Sequence, residues 1–207
     1  MNWISKLERK FGRYAITNLT LLFIGSNALG YLLMYTAPAL LAYLTLEPGL
    51  ILRGQVWRLN TWIVIPSGGN VLAVIIMLFF YYSIGTSMER TWGTFRYNLY
   101  LFSGILFTVI GAFILYFIFG GGYGYGWYFS SYYLCLSIFL AFAASYPDME
   151  VLLYFVIPLK VKWLAWLDVA YLAYDMIRGG FATRVVIIAS LLNFVLFYFS
   201  TKNLKPY

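Results

Sequence analysis

The chain has 207 residues, of which 63% are hydrophobic and only 10% are charged, and its formal net charge is +7. Soluble domains carry about 25% charged residues, so this composition excludes an ordinary water-soluble fold and indicates a membrane protein. The basic residues lie in small groups at the ends of apolar runs and not along one face. This distribution excludes a nucleic-acid-binding surface and is typical of a membrane protein that orients itself by positive charge.

The chain contains no histidine and one cysteine, Cys135, which lies within an apolar run. Histidine is the commonest metal ligand and the commonest general base, so its absence argues against a metal site and against ordinary hydrolytic chemistry. A single cysteine also excludes an internal disulfide framework. We therefore expect no metal site and no cofactor.

The first apolar run predicts a membrane anchor. Residues 1–13 hold four basic residues and are expected to form a short cytoplasmic segment. Ala15–Leu46 follows without a charge, and it is longer than the roughly 7–15 apolar residues of a cleavable signal peptide. About 20 apolar residues cross a bilayer, so the first span is predicted near Ile16–Thr36. After a polar loop and a break at Pro66–Gly69, the second span is predicted near Asn70–Met88.

The middle of the chain predicts two further spans. Tyr97–Pro147 contains no charged residue and is too long for one span. A cluster of glycines between positions 120 and 126 favours a loop there, which predicts spans near Tyr97–Phe119 and Trp127–Tyr146. Gly30 in the first span and Gly104 in the third each have a small residue four positions away, a spacing that predicts close helix packing.

The last third predicts two more spans. Met149–Lys160 has too short an apolar stretch to cross the bilayer and is expected to lie at the interface. A fifth span is predicted near Val161–Met176 and a sixth at Val185–Ser200. A carboxylate at the centre of a span costs roughly 2.5–3.5 kcal/mol, so Asp168 should face the bundle or a wet cavity. It is a candidate intramembrane polar site, although a small shift of the span would leave it shallow, and both readings stay open.

The placement of basic residues favours six spans. With the N-terminus inside, six spans put 10 of the 14 basic residues on the inner side, whereas five spans would put 8 there. Cytoplasmic loops carry the excess of Lys and Arg, so both termini are predicted to be cytoplasmic, in the cell (plasma) membrane. The organisation expected is a cytoplasmic segment at 1–13, a six-helix all-α membrane domain at 14–201 and a cytoplasmic tail at 202–207.

Three motifs lie at the ends of the predicted spans. Residues 54–61 read GQVWRLNT before the second span, and residues 85–93 read GTSMERTWG at its inner end. YPD at 146–148 and IPLK at 157–160 follow the fourth span. In this order they resemble the Trp-Arg motif of the rhomboid superfamily, its G-x-x-x-E-[RK]-x-x-G turn and the connection into its fifth helix. The resemblance covers about 54–175 and implies a rhomboid-like bundle of six transmembrane helices.

The resemblance assigns structural roles to the motif residues. Arg58 is expected to bind loop carbonyls while Trp57 anchors at the interface. Glu89, with Arg90 and Arg96, is expected to tie the inner turn together. The structural residues of the two motifs are Trp57, Arg58, Gly85, Glu89, Arg90 and Gly93. Phe95-Arg96 and the helix containing Ser103-Gly104 are also similar to Derlins, rhomboid relatives that lack protease activity.

The catalytic positions of rhomboid proteases are degenerate here. The resemblance implies a serine on the fourth span, where Tyr132 stands directly after Ser130-Ser131, and a histidine on the sixth, near Val186. The asparagine and histidine of the second span fall at Met77 and Ala73. A serine hydroxyl is a poor nucleophile without a neighbouring base, and this chain has no histidine and no lysine deeper in a predicted span than Lys162, the second residue of the fifth. We expect no catalytic residue.

Asp168 and Asp175 do not form an aspartyl-protease pair. They are seven residues apart on one predicted helix, about 10 Å along its axis, whereas two carboxylates that share a proton nearly touch. The predicted function is therefore that of a pseudoprotease, in contact with the lipid bilayer, that binds transmembrane segments of client proteins. Two alternatives stay open: an active rhomboid-family peptidase with unorthodox residues, and a small transporter that uses Asp168. The client and the oligomeric state are not predicted.

Overall fold

The computed structural model describes residues 3–66, 70–119, 124–153 and 157–201, and its architecture is that of an all-α polytopic membrane protein. The predicted tail at 202–207 lies outside the described residues. In chain order the helices are α1 (Trp3–Phe11), α2 (Leu19–Thr36), α3 (Pro38–Leu44), α4 (Pro48–Ile51), α5 (Arg58–Thr61), α6 (Val71–Trp92), α7 (Thr94–Ile118), α8 (Ser131–Ser145), α9 (Val161–Arg178) and α10 (Phe181–Thr201).

Five of the described segments are long and apolar enough to cross a membrane. They are Leu19–Thr36, Val71–Trp92, Thr94–Ile118, Gly126–Ser145 and Phe181–Phe199. These segments coincide with the first four predicted spans and the sixth. The helix α9 forms where the fifth span was predicted, but it carries Lys162, Asp168, Asp175 and Arg178 and does not belong to this group. A total of six spans stays a prediction.

One part of the chain departs from the purely helical prediction. The segment expected at the interface contains a two-stranded antiparallel hairpin, β1 (Glu150–Leu153) and β2 (Ile157–Lys160), with Glu150 opposite Lys160. A short apolar stretch that cannot cross the bilayer must still satisfy its backbone polar groups, and strand pairing does this locally. The backbone N–H of Val161 then donates to the Met149 carbonyl at 2.8 Å and leads the chain into α9.

Close backbone approach holds the long helices together, as the small-residue spacing predicted. A Cβ on Gly30 of α2 would lie 1.6 Å from the carbonyl oxygen of Val64. A Cβ on Gly104 of α7 would lie 2.6 Å from Leu134 of α8 and 3.0 Å from Asn193 of α10. Without a side chain at these positions, neighbouring segments pack at distances that dispersion favours.

Buried polar groups join α7, α8 and α10 in what we call the polar network. The Tyr100 hydroxyl donates to the Ser137 carbonyl at 2.8 Å, and the Ser137 hydroxyl donates to the Ser190 carbonyl at 3.2 Å. The Ser103 hydroxyl donates to Oδ1 of Asn193 at 2.6 Å, and Nδ2 of Asn193 donates to the Tyr100 carbonyl at 3.1 Å. Because a buried polar group without a partner is costly, these bonds favour one arrangement of the three helices.

Candidate functional site

The guanidinium of Arg58 organises the loop before the second span. The residue is only 2% exposed. Its Nη1 donates to the carbonyls of Ala42 and Thr45 at 2.9 and 3.0 Å, and its Nε donates to Oε1 of Gln55 at 2.7 Å. Desolvation lowers the pKa of Arg58, and the nearby Glu47 carboxylate opposes this effect. The structure therefore places Arg58 on loop carbonyls, as the sequence predicted for this residue.

Trp57 stands beside this loop with its ring outward. Half of the residue is exposed, and its Nε1 donates to the Tyr43 carbonyl at 3.3 Å. An indole with its polar edge satisfied and its ring outward suits the interfacial region of a bilayer. The contact also ties the end of α3 to the start of α5.

Glu47 is a buried carboxylate that sequence reasoning did not single out. It is 5% exposed, and its Oε2 accepts from the backbone N–H groups of Gly124 and Gly126 at 3.2 and 3.1 Å. Gly124 has a φ of +98°, a backbone conformation that glycine adopts most readily. Glu47 thus joins the outer loop to the segment that precedes α8. The available sequence signal was a lone acidic residue beside Pro48, which is weak.

Both glycines of the inner turn are required by the structure. A Cβ on Gly85 would lie 2.5 Å from Thr20 and 2.7 Å from the Tyr97 hydroxyl, which itself accepts from Thr20 at 3.1 Å. Gly93 ends α6 with a φ of +84°, and its N–H donates to the Glu89 carbonyl at 3.1 Å. The first glycine permits contact between helices, and the second permits the turn.

The predicted charge network of the inner turn was wrong in its partners. Oε1 of Glu89 accepts from the backbone N–H of Asn18 at 3.1 Å, next to the start of α2. Arg96 pairs with Glu8 of α1 at 3.1 Å. Arg90 is exposed, and among the described residues no ion pair joins it or Arg96 to Glu89. The N-terminal helix folds back onto this end of the bundle, and local sequence could not show that contact.

The two serines at the start of α8 are engaged in local structure. Ser131 is 1% exposed, and its hydroxyl is within donating distance of Oδ1 of Asn27 at 2.6 Å and of the Ile65 carbonyl at 3.2 Å. Ser130 caps the helix, because its Oγ accepts from the N–H of Tyr132 at 3.4 Å. Sequence reasoning missed Asn27, which is 104 residues away from Ser131.

Three of the degenerate positions, Ala73, Met77 and Val186, carry no group that can transfer a proton. Ala73 is exposed in the first turn of α6, and Met77 is half-buried one turn later. Val186 is 1% exposed and packs in an apolar cluster with Trp62. The ring of Tyr132 makes an edge contact with Tyr171 of α9, with 6.5 Å between ring centroids. Alanine, methionine and valine side chains can neither accept nor donate a catalytic proton.

Asp168 lies on the side of α9 that faces the bundle. The buried residues of this helix are Val161 and Leu172, and Asp168 shares their face at helical spacing. It is half-buried and lies on the side of α9 near Tyr81 of α6 and Tyr132 of α8. No hydrogen bond or ion pair to its carboxylate occurs among the described residues.

A small apolar cavity lies between α9 and α10. Its volume is about 150 Å³. It is lined by Val169, Leu172, Ala173, Met176, Ile187 and Leu191. The contact between the two helices is therefore incompletely packed on the side where Leu172 enters the bundle. Within the described part of the chain, no group of three or more acidic residues and cysteines is arranged to hold a metal ion.

The fold and composition define a polytopic α-helical integral membrane protein. Residues 16–202 match a family described as eukaryotic integral membrane proteins (DUF1751). The match covers most of the chain, so the chain belongs to this family. No curated protein and no solved structure matches it.

Proposed function

We propose that this chain is a rhomboid-like pseudoprotease, which binds transmembrane segments of other membrane proteins and does not cleave them. The observation that carries the proposal is the bonding of Ser131. Its hydroxyl lies next to the position where the resemblance implies a catalytic serine, yet it is buried against Asn27 and Ile65. An amide oxygen and a backbone carbonyl are not bases that could take its proton and activate it.

Other ionisable groups are badly placed to serve as that base. The lysines at 160 and 162 lie at the start of α9, at the end opposite to Ser131 on α8, since Tyr146 and the hairpin connect α8 to α9 there. Asp168 lies near Tyr132, but no hydrogen bond links it to Ser131 among the described residues. Binding without cleavage is the activity that these groups favour.

The packing of α9 supports a role in binding. Only Val161 and Leu172 of its 18 residues are buried, and an apolar cavity separates part of it from α10. Large apolar residues such as Trp166 and Ile177 are exposed on it, 69% and 77% respectively. Elements with few buried contacts move at low cost in free energy. A transmembrane segment packed along the exposed face of α9 would replace lipid there.

The proposed topology places both termini in the cytoplasm, together with the loop at 90–96 and the segment 148–162. It rests on the distribution of 10 basic residues inside and 4 outside. Impermeant maleimide labelling of single cysteines in a Cys135→Ser background would test it. Labelling from outside at residue 202 and its absence at residue 122 would overturn it. The plasma membrane stays the expected location, which surface biotinylation would test.

Co-reconstitution in nanodiscs tests the proposed function directly. The purified full-length protein, labelled with a donor fluorophore, is combined with acceptor-labelled single-span proteins of different sequence. Saturable energy transfer with some of these proteins, and unchanged mass of all of them, is the expected result. A six-span protein of unrelated fold is the control. If none of the single-span proteins shows saturable energy transfer, the binding claim is wrong. If any of them is cleaved, the pseudoprotease claim is wrong.

A further inference from the structure

A stripe of exposed basic residues runs along the N-terminal helix. Lys6, Arg9 and Lys10 share one face of α1, and Arg13 continues that face in the following 3-10 turn. All four residues are exposed. Their spacing of i, i+3, i+4 and i+7 is that of one side of a helix. We call these four residues the basic stripe.

The opposite face of α1 is occupied by the protein itself. Ile4 is 1% exposed and belongs to the main apolar cluster, together with Tyr97 of α7. Glu8 lies one turn further and pairs with Arg96 of α7 at 3.1 Å. Because Ile4 and Glu8 fix the helix on α7, the basic stripe points away from the bundle. The Glu8 carboxylate is paired with Arg96 and does not neutralise the charge of the basic stripe.

Other carboxylates at this end of the bundle are also engaged. Glu89 accepts from the backbone of Asn18 at 3.1 Å, and Asp148 lies 3.6 Å from Lys162. Glu150 is exposed on β1, across from Lys160 in the hairpin register. The positive potential of the basic stripe is therefore left for a ligand from outside the chain.

The basic stripe lies close to the level at which the first membrane helix begins. Leu19, where α2 starts, comes five positions after Tyr14, so the two residues are at most about 18 Å apart. Phe11 and Tyr14 are 43% and 65% exposed, and the Arg13 guanidinium lies 4.8 Å from the Tyr14 ring centroid. Exposed aromatic rings beside basic side chains suit the headgroup region of a bilayer, where the rings contact the acyl boundary and the cations contact anionic headgroups.

We propose that the basic stripe binds anionic phospholipid headgroups in the leaflet next to the N-terminus. The positive charge of the stripe selects an anionic ligand. Its short distance from the start of α2 places it within reach of lipid headgroups when α2 is in the membrane. Juxtamembrane basic residues gain a favourable interaction with phosphate- and carboxylate-bearing headgroups, and this interaction is screened by salt. The proposal does not depend on the proposed function, because neither α9 nor Ser131 takes part.

Lipid retention by the intact protein tests this inference. Purified full-length protein in a zwitterionic detergent is titrated with phosphatidylserine, a phosphatidylinositol phosphate or phosphatidylcholine, and bound lipids are counted by native mass spectrometry. The double variant K6Q/K10Q is compared with R90Q/R178Q, which removes the same number of exposed charges away from the stripe. We expect a roughly five-fold loss of anionic lipid affinity for each stripe residue removed, and little change in R90Q/R178Q.

A salt titration of the unmodified protein gives a second readout that does not depend on the folding of a variant. Preference for anionic lipids should fall steeply between about 0.1 and 1 M ammonium acetate. Equal retention of phosphatidylcholine and the anionic lipids would overturn the proposal. Equal loss of affinity in K6Q/K10Q and R90Q/R178Q would also overturn it. An acidic peptide, titrated in the same way, would overturn it if the peptide bound to the stripe while the lipids did not.

Discussion

In α2, α6, α7, α8 and α10, which we call the packed core, a Cβ on Gly85 or Gly104 would lie 2.5 or 2.6 Å from a side chain of a neighbouring helix, and Gly30 of α2 packs directly on the carbonyl of Val64. The neighbouring helix α9 buries only Val161 and Leu172 and borders a cavity. The packed core also contains the polar network, whereas the carboxylate of Asp168 on α9 has no bonded partner among the described residues. The difference teaches that one region fixes the scaffold, and that the other is the region that, under the proposed function, would respond to a partner.

The largest effect is expected from a single methyl group in the packed core. In Gly30→Ala the new Cβ would meet the carbonyl oxygen of Val64 at 1.6 Å, and a backbone atom cannot move aside cheaply. We expect a loss of at least about 3 kcal/mol in the free energy of unfolding. Gly25→Ala is the matched control, because it lies on the same helix with open space around it. Thermal melting in detergent measures both, and equal melting temperatures would contradict the close contact.

The second largest loss of stability is expected from a substitution in the polar network. Asn193→Leu removes two hydrogen bonds between α7 and α10, the one from the Ser103 hydroxyl and the one to the Tyr100 carbonyl, while Ser103 and Tyr100 keep the bond between them. The expected loss is about 1–3 kcal/mol. Leu192→Val, at an exposed position of the same helix, leaves the network intact and is expected to have a smaller effect. If Asn193→Leu melts at the same temperature as the unmodified protein, the network does not stabilise the packed core.

Substitutions of Arg58 distinguish a structural role of this residue from a role in recognising transmembrane segments. Arg58→Ala removes the guanidinium from the carbonyls of Ala42 and Thr45 and leaves only the Thr45 hydroxyl on the carbonyl of Ala42, with an expected cost of roughly 1–3 kcal/mol. Arg58→Lys should restore only part of it, since an ammonium cannot reproduce the planar fork of donors. Binding of transmembrane segments should fall only in proportion to the amount of folded protein. Unchanged melting with collapsed binding would make Arg58 a recognition residue.

The smallest effect on stability is expected on α9. Asp168→Asn removes a half-buried charge without a bonded partner, so the melting temperature should stay the same or rise. Binding of transmembrane segments should weaken and not disappear. Asp175→Asn, on the same helix, is the matched control. Flux assays in proteoliposomes distinguish the alternative, because a transporter that uses Asp168 would lose transport completely in Asp168→Asn.

Hydropathy located the membrane helices because a bilayer demands about 20 apolar residues, and that demand is local in sequence. Gly30, Gly104 and Arg58 could also be interpreted locally, from small-residue spacing and from a basic residue within a motif. The hairpin at 150–160 was missed because its apolar stretch has no period that distinguishes a strand from an interfacial segment.

The partners of the candidate site could not be predicted in the same way. Ser131 with Asn27, Glu89 with Asn18 and Arg96 with Glu8 are contacts between residues 71 to 104 positions apart. Each of these side chains could have bonded several groups, and only the packing of α1 and α2 against the later helices selects one. The same reason explains why Glu47 was not singled out.

The central claim is that the serine beside the degenerate catalytic position is structural. Intact mass spectrometry of the purified protein after incubation with a fluorophosphonate probe tests it most directly. No mass increase is expected, because Ser131 is buried against Asn27 and no base among the described residues is bonded to it. Stoichiometric labelling at Ser130 or Ser131, absent from the Ser130→Ala and Ser131→Ala double variant, would contradict it.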